Sequence, residues 1–399
     1  MYDAIVVGAR CAGSPTAMLL ARKGYRVLLV DKATFPSDII STHVIWQPGV
    51  ARLKRWGLLE KVAASNCPPV SRNVFDVGDF ALLGSPPAAD GVAEAYCPRR
   101  TVLDKILVDG AADAGAEVRE SFSVQEIVVE DGYVKGIRGR SRGSTATEAG
   151  RITIGADGLH SLVARATEAP AYNETPPLAC YYYSYWSGVP VQEIEFYARD
   201  GRVVAALPTN NSLALIVVGW TAKEFGEYRA DIEGNYLKTL RQQAPGLADR
   251  VHNGKREERF VGTADVPNFF RKPCGSGWAL VGDAGYHKDP VTAQGITDAF
   301  QHAELLAEAI DAGFSGRQPL QEALAEYERL RNEDVAPRYQ LACDFAKLAP
   351  PPPEMRRLFE ALRNNQAQTD RFFGIFAGTV PVPEFFSPEN VEQVTRAAQ

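Results

Sequence analysis

The sequence predicts an α/β protein in which a parallel β-sheet near the N-terminus is combined with an inserted antiparallel sheet and a helical C-terminal region. Three observations support this class. A strand-like run, a helix and a second strand-like run follow one another within residues 2–30. Residues 175–270 are rich in aromatic and β-branched side chains separated by turn residues. From residue 321 onward, most of the chain has the helical spacing of apolar residues.

The N-terminal segment predicts one βαβ unit. Residues 2–7 form a continuous apolar run, as expected for a strand that is buried in a parallel sheet. Residues 14–23 have helical spacing and end before Gly24, and residues 26–30 form the second apolar run, which ends at Asp31. Further helices are predicted for residues 49–62, 101–114, 222–243, 295–312 and 321–345.

The remaining strands follow from alternation and turn residues. Residues 124–129 and 133–137, joined by the sequence EDG, predict a hairpin, and residues 117–122, 151–154 and 278–281 predict short strands. The segments CYYYSYWSGV, EIEFYA, RVVAALP and SLALIVVGW predict the antiparallel sheet. The four prolines at 350–353 predict a stiff spacer or turn, with a docking motif for an aromatic groove as the alternative.

Composition limits the classes of function. The 399 residues are 45% hydrophobic and 23% charged, with a formal net charge of −6, which argues against nucleic acid or an anionic membrane as the main partner. The six cysteines form no C-x-x-C pair, so neither a disulfide framework nor a zinc site is indicated. No stretch of eighteen apolar residues predicts a membrane span, and no signal peptide is recognisable, so we expect a cytoplasmic protein.

The turn after the first strand reads GARCAG, from Gly8 to Gly13. It is similar to the dinucleotide-binding fingerprint G-x-G-x-x-G, except that Arg10 takes the place of the second glycine. Gly8 permits a tight turn, Gly13 permits close packing of helix on strand, and Asp31 is placed to accept hydrogen bonds from a ribose. The following helix N-terminus favours phosphate. A glycine turn without a nucleotide is the alternative.

Two later motifs contain polar residues at predicted strand ends. The first reads GADGLHS, residues 155–161, with Arg165 beyond it, and by itself it is also compatible with an ordinary turn. The second places Asp283 at the end of a strand and continues through Pro290 to Gln294 and Gly295, where a helix begins. A carboxylate at a strand end can accept hydrogen bonds from polyol hydroxyls, and a helix N-terminus stabilises an anionic group.

These motifs, together with R-x-x-L at residues 100–103, resemble in order and spacing the FAD-dependent monooxygenase family related to para-hydroxybenzoate hydroxylase. Its wider superfamily includes flavin-dependent halogenases and geranylgeranyl reductases. The resemblance covers most of residues 1–312. It implies a Rossmann-like FAD-binding domain with an inserted antiparallel β-sheet substrate domain. The expected FAD contacts are Gly8, Arg10, Cys11, Ala12, Gly13, Asp31, Lys32, Gln47, Arg100, Asp157, Gly158, Gly282, Asp283, Gly295 and Ile296.

The resemblance also implies individual roles. Asp31 would hold the adenosine ribose, Arg100 the diphosphate or ribityl region, and Asp283 the ribityl chain. Asp157 and Gly158 would support the phosphates and an incoming nicotinamide cofactor.

Several residues are implied near the flavin ring. The residues expected to lie along the flavin or beside its reactive edge are Pro290, Gln294, Gly295, His43 and His287. For each histidine, a structural role in its own loop is the alternative.

Two positions depart from the family pattern. The guanidinium of Arg10 is expected near the diphosphate or the flavin edge, with a solvent-facing side chain as the alternative. Arg165 lies one residue later than the family motif places its arginine, and one residue rotates a helical side chain by about 100°. Its role therefore stays open.

The aromatic strand predicts the substrate layer. Tyr181, Tyr183 and Tyr185 share one face and Tyr182, Ser184 and Trp186 the other, and the sequence does not say which face lines the pocket. The expected substrate contacts are Tyr183, Tyr185, Trp186 and Pro208. Cross-strand stabilisation of the sheet is the alternative role for these rings.

The predicted division assigns residues 1–75, 98–170 and 270–320 to the FAD-binding domain. Residues 76–97 and 171–269 form the substrate layer, and 321–399 the helical C-terminal region. A homodimer is compatible with this organisation.

The predicted activity is that of an FAD-dependent monooxygenase. Because only one dinucleotide fingerprint is present, NAD(P)H would dock transiently to reduce the bound FAD, and O2 would be the co-substrate for hydroxylation or epoxidation of a flat aromatic or olefinic molecule. No metal site is predicted. A geranylgeranyl-reductase-like double-bond reductase, a halogenase, a flavin-dependent dehydrogenase and a non-catalytic flavoprotein are the alternatives. The absence of a W-x-W-x-I-P signature argues against the halogenase.

Overall fold

The computed structural model describes residues 1–141 and 143–396. Its strands are β1 Tyr2–Val7, β2 Val27–Val30, β3 Pro69–Val70, β4 Asn73–Asp76, β5 Ala81–Gly84, β6 Ala95–Tyr96, β7 Glu117–Arg119, β8 Phe122–Glu130, β9 Tyr133–Ser141, β10 Ser144–Gly155, β11 Ala171–Thr175, β12 Ala179–Ser187, β13 Ile194–Arg199, β14 Arg202–Pro208, β15 Ala214–Thr221, β16 Lys255–Arg256, β17 Val261–Thr263, β18 Asn268–Arg271, β19 Cys274–Gly275, β20 Trp278–Leu280 and β21 Tyr286–His287.

The helices alternate with these strands and then dominate the C-terminal region. They are α1 Arg10–Arg22, α2 Gln47–Arg55, α3 Leu59–Ala63, α4 Arg100–Asp113, α5 Leu162–Ala166, α6 Phe225–Ala230, α7 Ile232–Gln243, α8 Pro245–His252, α9 Gly295–Phe314, α10 Leu320–Ala346, α11 Pro353–Leu362, α12 Gln366–Ala377, α13 Val382–Phe385 and α14 Pro388–Arg396. No helix of the described residues is both long and apolar enough to cross a membrane.

The first sheet has the strand order β19-β20-β10-β1-β2-β7, and β1 lies in parallel between β10 and β2. The apolar side chains of β1 are buried because α1, α4 and α9 cover one face of the sheet and the β8–β9 hairpin contributes to the other. The carboxyl ends of β1, β2, β10 and β20 therefore meet at one edge. The predicted α/β class and βαβ unit are confirmed.

The second sheet is mainly antiparallel, with the order β16-β12-β15-β14-β13-β4-β5 and β17 also paired with β12. The only parallel pair in this order is β13 with β4. α7 and α8 cover one face through a cluster that includes Trp186, Tyr236 and Leu240. The opposite face looks toward the first sheet. The predicted helix 222–243 is interrupted at Asp231, whose side chain caps α7.

The C-terminal helices pack against β4 and β5. Phe75 of β4 contacts an aromatic cluster from α11 and α12 that includes Phe359, Phe372 and Phe376. Because β4 pairs with the second sheet, the predicted domain boundary after residue 75 falls inside a strand of that sheet. α11 begins at Pro353, a favourable first helical position, in agreement with a stiff turn at residues 350–353.

Candidate active site

A cavity of about 950 Å³ lies between the carboxyl edge of the first sheet and the open face of the second. At one end it is lined by the turn after β1 and by Asp31 at the end of β2. In its middle it is lined by Asp157 and by the segment from Gly282 to Ile296. At the other end it reaches side chains of β12, β14 and α12. The three predicted motifs therefore meet at one cavity, because each follows a strand of the same parallel sheet.

The turn after β1 is closely packed. Gly8 has a φ of 91°, a conformation that favours glycine, and a Cβ on Gly13 would lie 1.8 Å from the carbonyl oxygen of Gly8. The Asp31 carboxylate accepts hydrogen bonds from the backbone N–H groups of Ala9 and Ala33, each at 2.8 Å. This backbone leaves space for a ligand beside Ala12, Cys11 and Lys32, which also line the cavity.

Arg10 has a φ of 60°, which is unusual for a residue with a side chain. Its guanidinium donates to Asp104 Oδ2 at 2.6 Å and to Ser37 Oγ at 2.9 Å, while the residue also lines the cavity. The solvent-facing alternative is therefore wrong. Arg100 donates to both oxygens of the same Asp104 carboxylate, which is fully buried. Asp104 was not among the predicted site residues, although Arg100 and Asp104 lie at helical i, i+4 spacing.

Asp157, just after β10, stabilises the start of α5. Its carboxylate accepts hydrogen bonds from Ser161 Oγ and the Leu162 N–H, both at 2.6 Å, at the start of α5. Burial raises the pKa of Asp157 although these hydrogen bonds oppose the shift. Gly158 and Arg165 also line the cavity, and Arg165 donates to the carbonyl of His160.

The segment after β20 forms the central wall. Asp283 is exposed within a 3-10 turn that begins at Gly282, and both line the cavity. Pro290, Gly295 and Ile296 line it as well. Since α9 begins at Gly295, its first N–H groups have no acceptor within the helix and lie beside the cavity. His287 lines the same wall, and its Nδ1 lies against the carbonyl of Pro267.

His43 lies behind the cavity wall, although its neighbours Thr42 and Val44 line it. Its Nδ1 is 2.7 Å from the Ser41 carbonyl and its Nε2 is 2.7 Å from the Tyr185 hydroxyl. Because a carbonyl only accepts, Nδ1 carries the proton and Nε2 accepts from Tyr185. Burial lowers the pKa of His43 to about 4, so the ring is neutral at pH 7. His43 was expected at the rim of the pocket. Instead, it has a structural role, because its ring hydrogen-bonds within its own loop and to Tyr185.

Two glutamines also lie outside the wall. Gln294 donates to the carbonyls of Ile375 and Phe376 and so ties the start of α9 to α12. Gln47 donates to the carbonyl of Ala93. Both glutamines were expected beside the flavin. The structure does not place them there, because their side-chain amides donate to backbone carbonyls outside the cavity.

The pleat of β12 decides which aromatic rings reach the cavity. Tyr181 and Tyr183 line it, whereas Trp186 points to the opposite face and stacks on Tyr236 of α7, with ring centroids 6.3 Å apart. Tyr185 shares the face of Tyr183 but packs against His43. Pro208, at the end of β14, does not line the cavity. The expected substrate contacts Trp186, Tyr185 and Pro208 are corrected accordingly.

Three buried ionisable residues of the wall, Lys288, Asp289 and Asp298, were not among the predicted site residues. Lys288 donates to Asp298 at 2.8 Å, and Arg338 of α10 lies 3.2 Å from the same carboxylate. Burial alone would raise the pKa of Asp298, but the two cations lower it. Asp289 is hydrogen-bonded to Tyr181. The sequence signal was the pair Lys288-Asp289 directly before Pro290, between the predicted strand 278–281 and the predicted helix 295–312.

The arrangement fits a dinucleotide flavin. The missing side chain at Gly13 lets α1 pack closely against the turn after β1, two carboxylates on successive walls face the cavity, and a helix N-terminus lies beside it. The FAD binding domain family matches residues 1–340 of the sequence. The chain belongs to the FAD binding domain family.

Among similar proteins, the digeranylgeranylglycerophospholipid reductase of Methanosarcina acetivorans is 28% identical over 345 residues, covering 82% of this chain and 80% of the relative. The flavin-dependent brominase Bmp2 has a TM-score of 0.82 at 17% identity, with 99% of each chain covered. PqsL of Pseudomonas aeruginosa, solved with 2-aminobenzoylacetate, has a TM-score of 0.72 at 20% identity, covering 94% of this chain and 99% of PqsL. These structures share the fold with this FAD-binding chain.

The family and its relatives identify the protein as an FAD-dependent oxidoreductase. Among the described residues, no group of three or more histidine, cysteine, aspartate or glutamate side chains could hold a metal ion.

Proposed function

We propose that the protein reduces a carbon–carbon double bond of an apolar, olefinic substrate. The observation that carries this proposal is the wall of the cavity beyond the flavin-binding motifs, which is mostly apolar, with Asn73, Thr263 and the hydroxyls of Tyr181 and Tyr183 among its few polar groups. The apolar side chains of this wall are Val44, Val74, Phe75, Ile194, Phe196, Val203, Ala205, Leu207, Val217, Val266, Phe373 and Phe376. Binding of an apolar substrate to such a wall is favourable because it removes apolar surface from water. The wall offers few hydrogen-bond partners for a polar substrate.

The shape of this wall supports a substrate that is long or bent rather than one small ring. Phe75 and Phe196 stack with ring centroids 5.5 Å apart and planes 8° apart, so they present one continuous apolar surface. Phe376 of α12 extends this surface toward the C-terminal region, and the centroids of its ring and the Phe75 ring are 6.3 Å apart. The C-terminal helices thus complete the substrate end of the cavity.

FAD would be held by the residues that line the other half of the cavity. The carboxylates of Asp31 and Asp283 would accept hydrogen bonds from its sugar and polyol hydroxyls, and Arg10 and Arg100 place positive charge beside the turn after β1. The N-terminus of α9 would stabilise negative charge on the flavin ring. When bound and reduced, FAD supplies hydride to the substrate. The apolar wall excludes water from that exchange.

The relatives support the same choice. The Methanosarcina acetivorans relative, which shares 28% of its residues over most of both chains, is named as a reductase of a geranylgeranyl lipid. That name describes an apolar olefinic substrate, and the hydrocarbon wall of this chain is suited to the same chemical class. NAD(P)H that docks transiently is the proposed reductant, because the chain has one dinucleotide fingerprint.

Monooxygenation is the second candidate. It is favoured by the structural likeness to PqsL, which was solved with an aromatic keto acid. The aromatic side chains Tyr181 and Tyr183 at the boundary between the two halves of the cavity would suit a planar substrate. In that reaction O2 is the co-substrate.

Product analysis separates the two functions. FAD-loaded protein is reduced with NADPH or dithionite and mixed with geranylgeraniol, once without oxygen and once in air. We expect an oxygen-independent product with two additional hydrogen atoms. A product that forms only in air and carries one additional oxygen atom would contradict the reductase and support the monooxygenase. Purified protein that binds no flavin after reconstitution would contradict both.

A further inference from the structure

The hydroxyl of Tyr181 and the carboxylate of Asp289 are hydrogen-bonded to each other at the boundary between the two halves of the cavity. Tyr181 belongs to the face of β12 that lines the cavity, and Asp289 directly precedes Pro290 in the central wall. Both residues are cavity-lining and buried, Asp289 completely. The contact therefore joins the substrate sheet to the loop that leads into α9.

Asp289 is held in place by its backbone and by one of its two oxygens. Its N–H donates to Asn268 Oδ1 at 2.6 Å, and its Oδ1 accepts from the Val291 N–H at 3.0 Å as well as from Tyr181. The other oxygen, Oδ2, is buried and has no hydrogen-bond partner among the described residues. An unpartnered oxygen on a buried carboxylate is costly when the group is ionised, and it is the natural position for a proton.

The surroundings of Asp289 favour the protonated form. The titratable groups that face it are Tyr181 and Cys180 of β12, His287 of β21 and Cys343 of α10. The neighbouring Lys288 instead donates to Asp298. Burial raises the pKa of Asp289 to about 6, although the hydrogen bond from Tyr181 opposes this shift.

The other acids that line the cavity are less suited to hold a proton. Asp265 and Asp283 are exposed to solvent. Asp157 accepts three hydrogen bonds at the start of α5, and Asp298 is flanked by Lys288 and Arg338. Asp31 is engaged by two backbone N–H groups. Tyr183, the other tyrosine of β12 that lines the cavity, lies edge-on to Tyr185 and His43 rather than against a carboxyl group.

We propose that Tyr181 donates the proton that completes double-bond reduction and that Asp289 returns a proton to Tyr181. This assignment rests on the proposed reductase function. Tyr181 acts as the catalytic acid, and Asp289 acts through it as a proton reservoir.

The step balances in atoms and electrons. The π bond of the substrate breaks and two C–H bonds form. One carbon receives the hydride, with both electrons, from the reduced flavin of the proposed function, which NAD(P)H re-reduces. The other carbon receives the proton of the Tyr181 hydroxyl. The Tyr181 hydroxyl turns away from Asp289 Oδ1 as it donates this proton. The Asp289 carboxyl group then rotates so that its protonated oxygen returns a proton to the Tyr181 oxygen. Asp289 is left as a carboxylate and is reprotonated from solvent after the product leaves.

The protonation state of Asp289 can be tested without any substrate. Infrared difference spectra of the FAD-loaded protein are recorded over a pH titration for wild type, Asp289→Asn and Tyr181→Phe. We expect a carboxylic-acid band that disappears as pH rises through about 6, is absent in Asp289→Asn and has a higher midpoint in Tyr181→Phe. The absence below pH 6 of a band that Asp289→Asn removes would overturn the assignment of Asp289.

Proton donation is tested by single turnover of dithionite-reduced enzyme with geranylgeraniol. We expect Tyr181→Phe and Asp289→Asn to slow reduction by about a hundredfold, and the wild-type rate to fall as pH rises above about 6. Tyr182→Phe, on the opposite face of the same strand, is the matched control and should react like wild type. FAD content and unfolding midpoints of each variant identify folding defects.

The outcomes separate the two proposals. If wild type reduces the olefin and Tyr181→Phe matches its rate and pH profile, the proton-donor assignment is wrong and the reductase stands. If wild type reduces no olefin, the reductase proposal fails and proton donation fails with it, whatever state the infrared titration gives for Asp289.

Discussion

The guanidinium of Arg10 lies 2.6 Å from the carboxylate of Asp104, a residue 94 positions later in the chain. Asp104 is fully buried and also forms an ion pair with Arg100. One carboxylate therefore pairs with two arginines beside the turn after β1. Arg10 occupies the position where the fingerprint has its second glycine and adopts a glycine-like φ of 60°. The ion pair offsets the backbone strain of that conformation.

Two substitutions of Arg10 distinguish the contribution of its ion pair to stability from the cost of its strained backbone. Arg10→Ala loses the ion pair and keeps a Cβ at φ 60°, so we expect it to lower the free energy of unfolding by about 2 kcal/mol. Arg10→Gly loses the same ion pair but relieves the backbone, so it should be more stable than Arg10→Ala by about 1 kcal/mol. Urea unfolding measures both. Equal stabilities would contradict a strained backbone at Arg10.

Asp104→Asn should be more damaging than either. It leaves Arg10 and Arg100 without a charged partner in a buried site, so we expect a loss of about 3 kcal/mol in unfolding free energy and weaker FAD binding. The matched control is Asp109→Asn on the same helix, whose ion pair with Lys105 is about half exposed. This variant should change stability by less than about 0.5 kcal/mol. Similar losses in both variants would refute the organising role of Asp104.

Gly13→Ala tests the packing of the turn. The new Cβ would lie 1.8 Å from the Gly8 carbonyl oxygen, so α1 has to move away from β1 and the FAD content of the purified protein should fall at least about tenfold. Gly226→Ala in α6 is the control, because its Cβ would meet open space and a helical alanine is favourable. Flavin absorbance per protein reports the result. Normal FAD content in Gly13→Ala would contradict the close-packed turn.

The buried, neutral His43 should make the protein less stable in acid. Burial lowers its pKa to about 4, from the usual histidine value of 6.5 in an unfolded chain, so the unfolded state binds more protons between these two pH values. Unfolding free energy should therefore fall as pH decreases from about 6.5 to about 4. His43→Gln should have a flatter dependence in that window, whereas the exposed His252→Gln should keep the wild-type slope. Thermal unfolding over this pH range measures the effect, and identical slopes would contradict a buried neutral His43.

The sequence by itself determined the fold class and the existence of the FAD site. Gly8, Asp31 and Asp283 follow strands whose apolar runs are visible in one dimension, and parallel strands bring their carboxyl ends to one edge. The family was likewise recognisable, because its motifs are local and their order is preserved. The helix boundaries at Gly24 and Gly295 followed from local backbone chemistry in the same way.

Only the tertiary structure decided which side chains face the cavity. A strand of period two has two equivalent faces until something covers one of them, and α7 and α8 cover the Trp186 face of β12. Likewise, His43, Gln47 and Gln294 resemble site residues in sequence, but distant backbone carbonyls and Tyr185 engage their polar atoms. The pairs Arg10–Asp104 and Tyr181–Asp289 join residues roughly a hundred positions apart, and a local pattern does not encode such contacts.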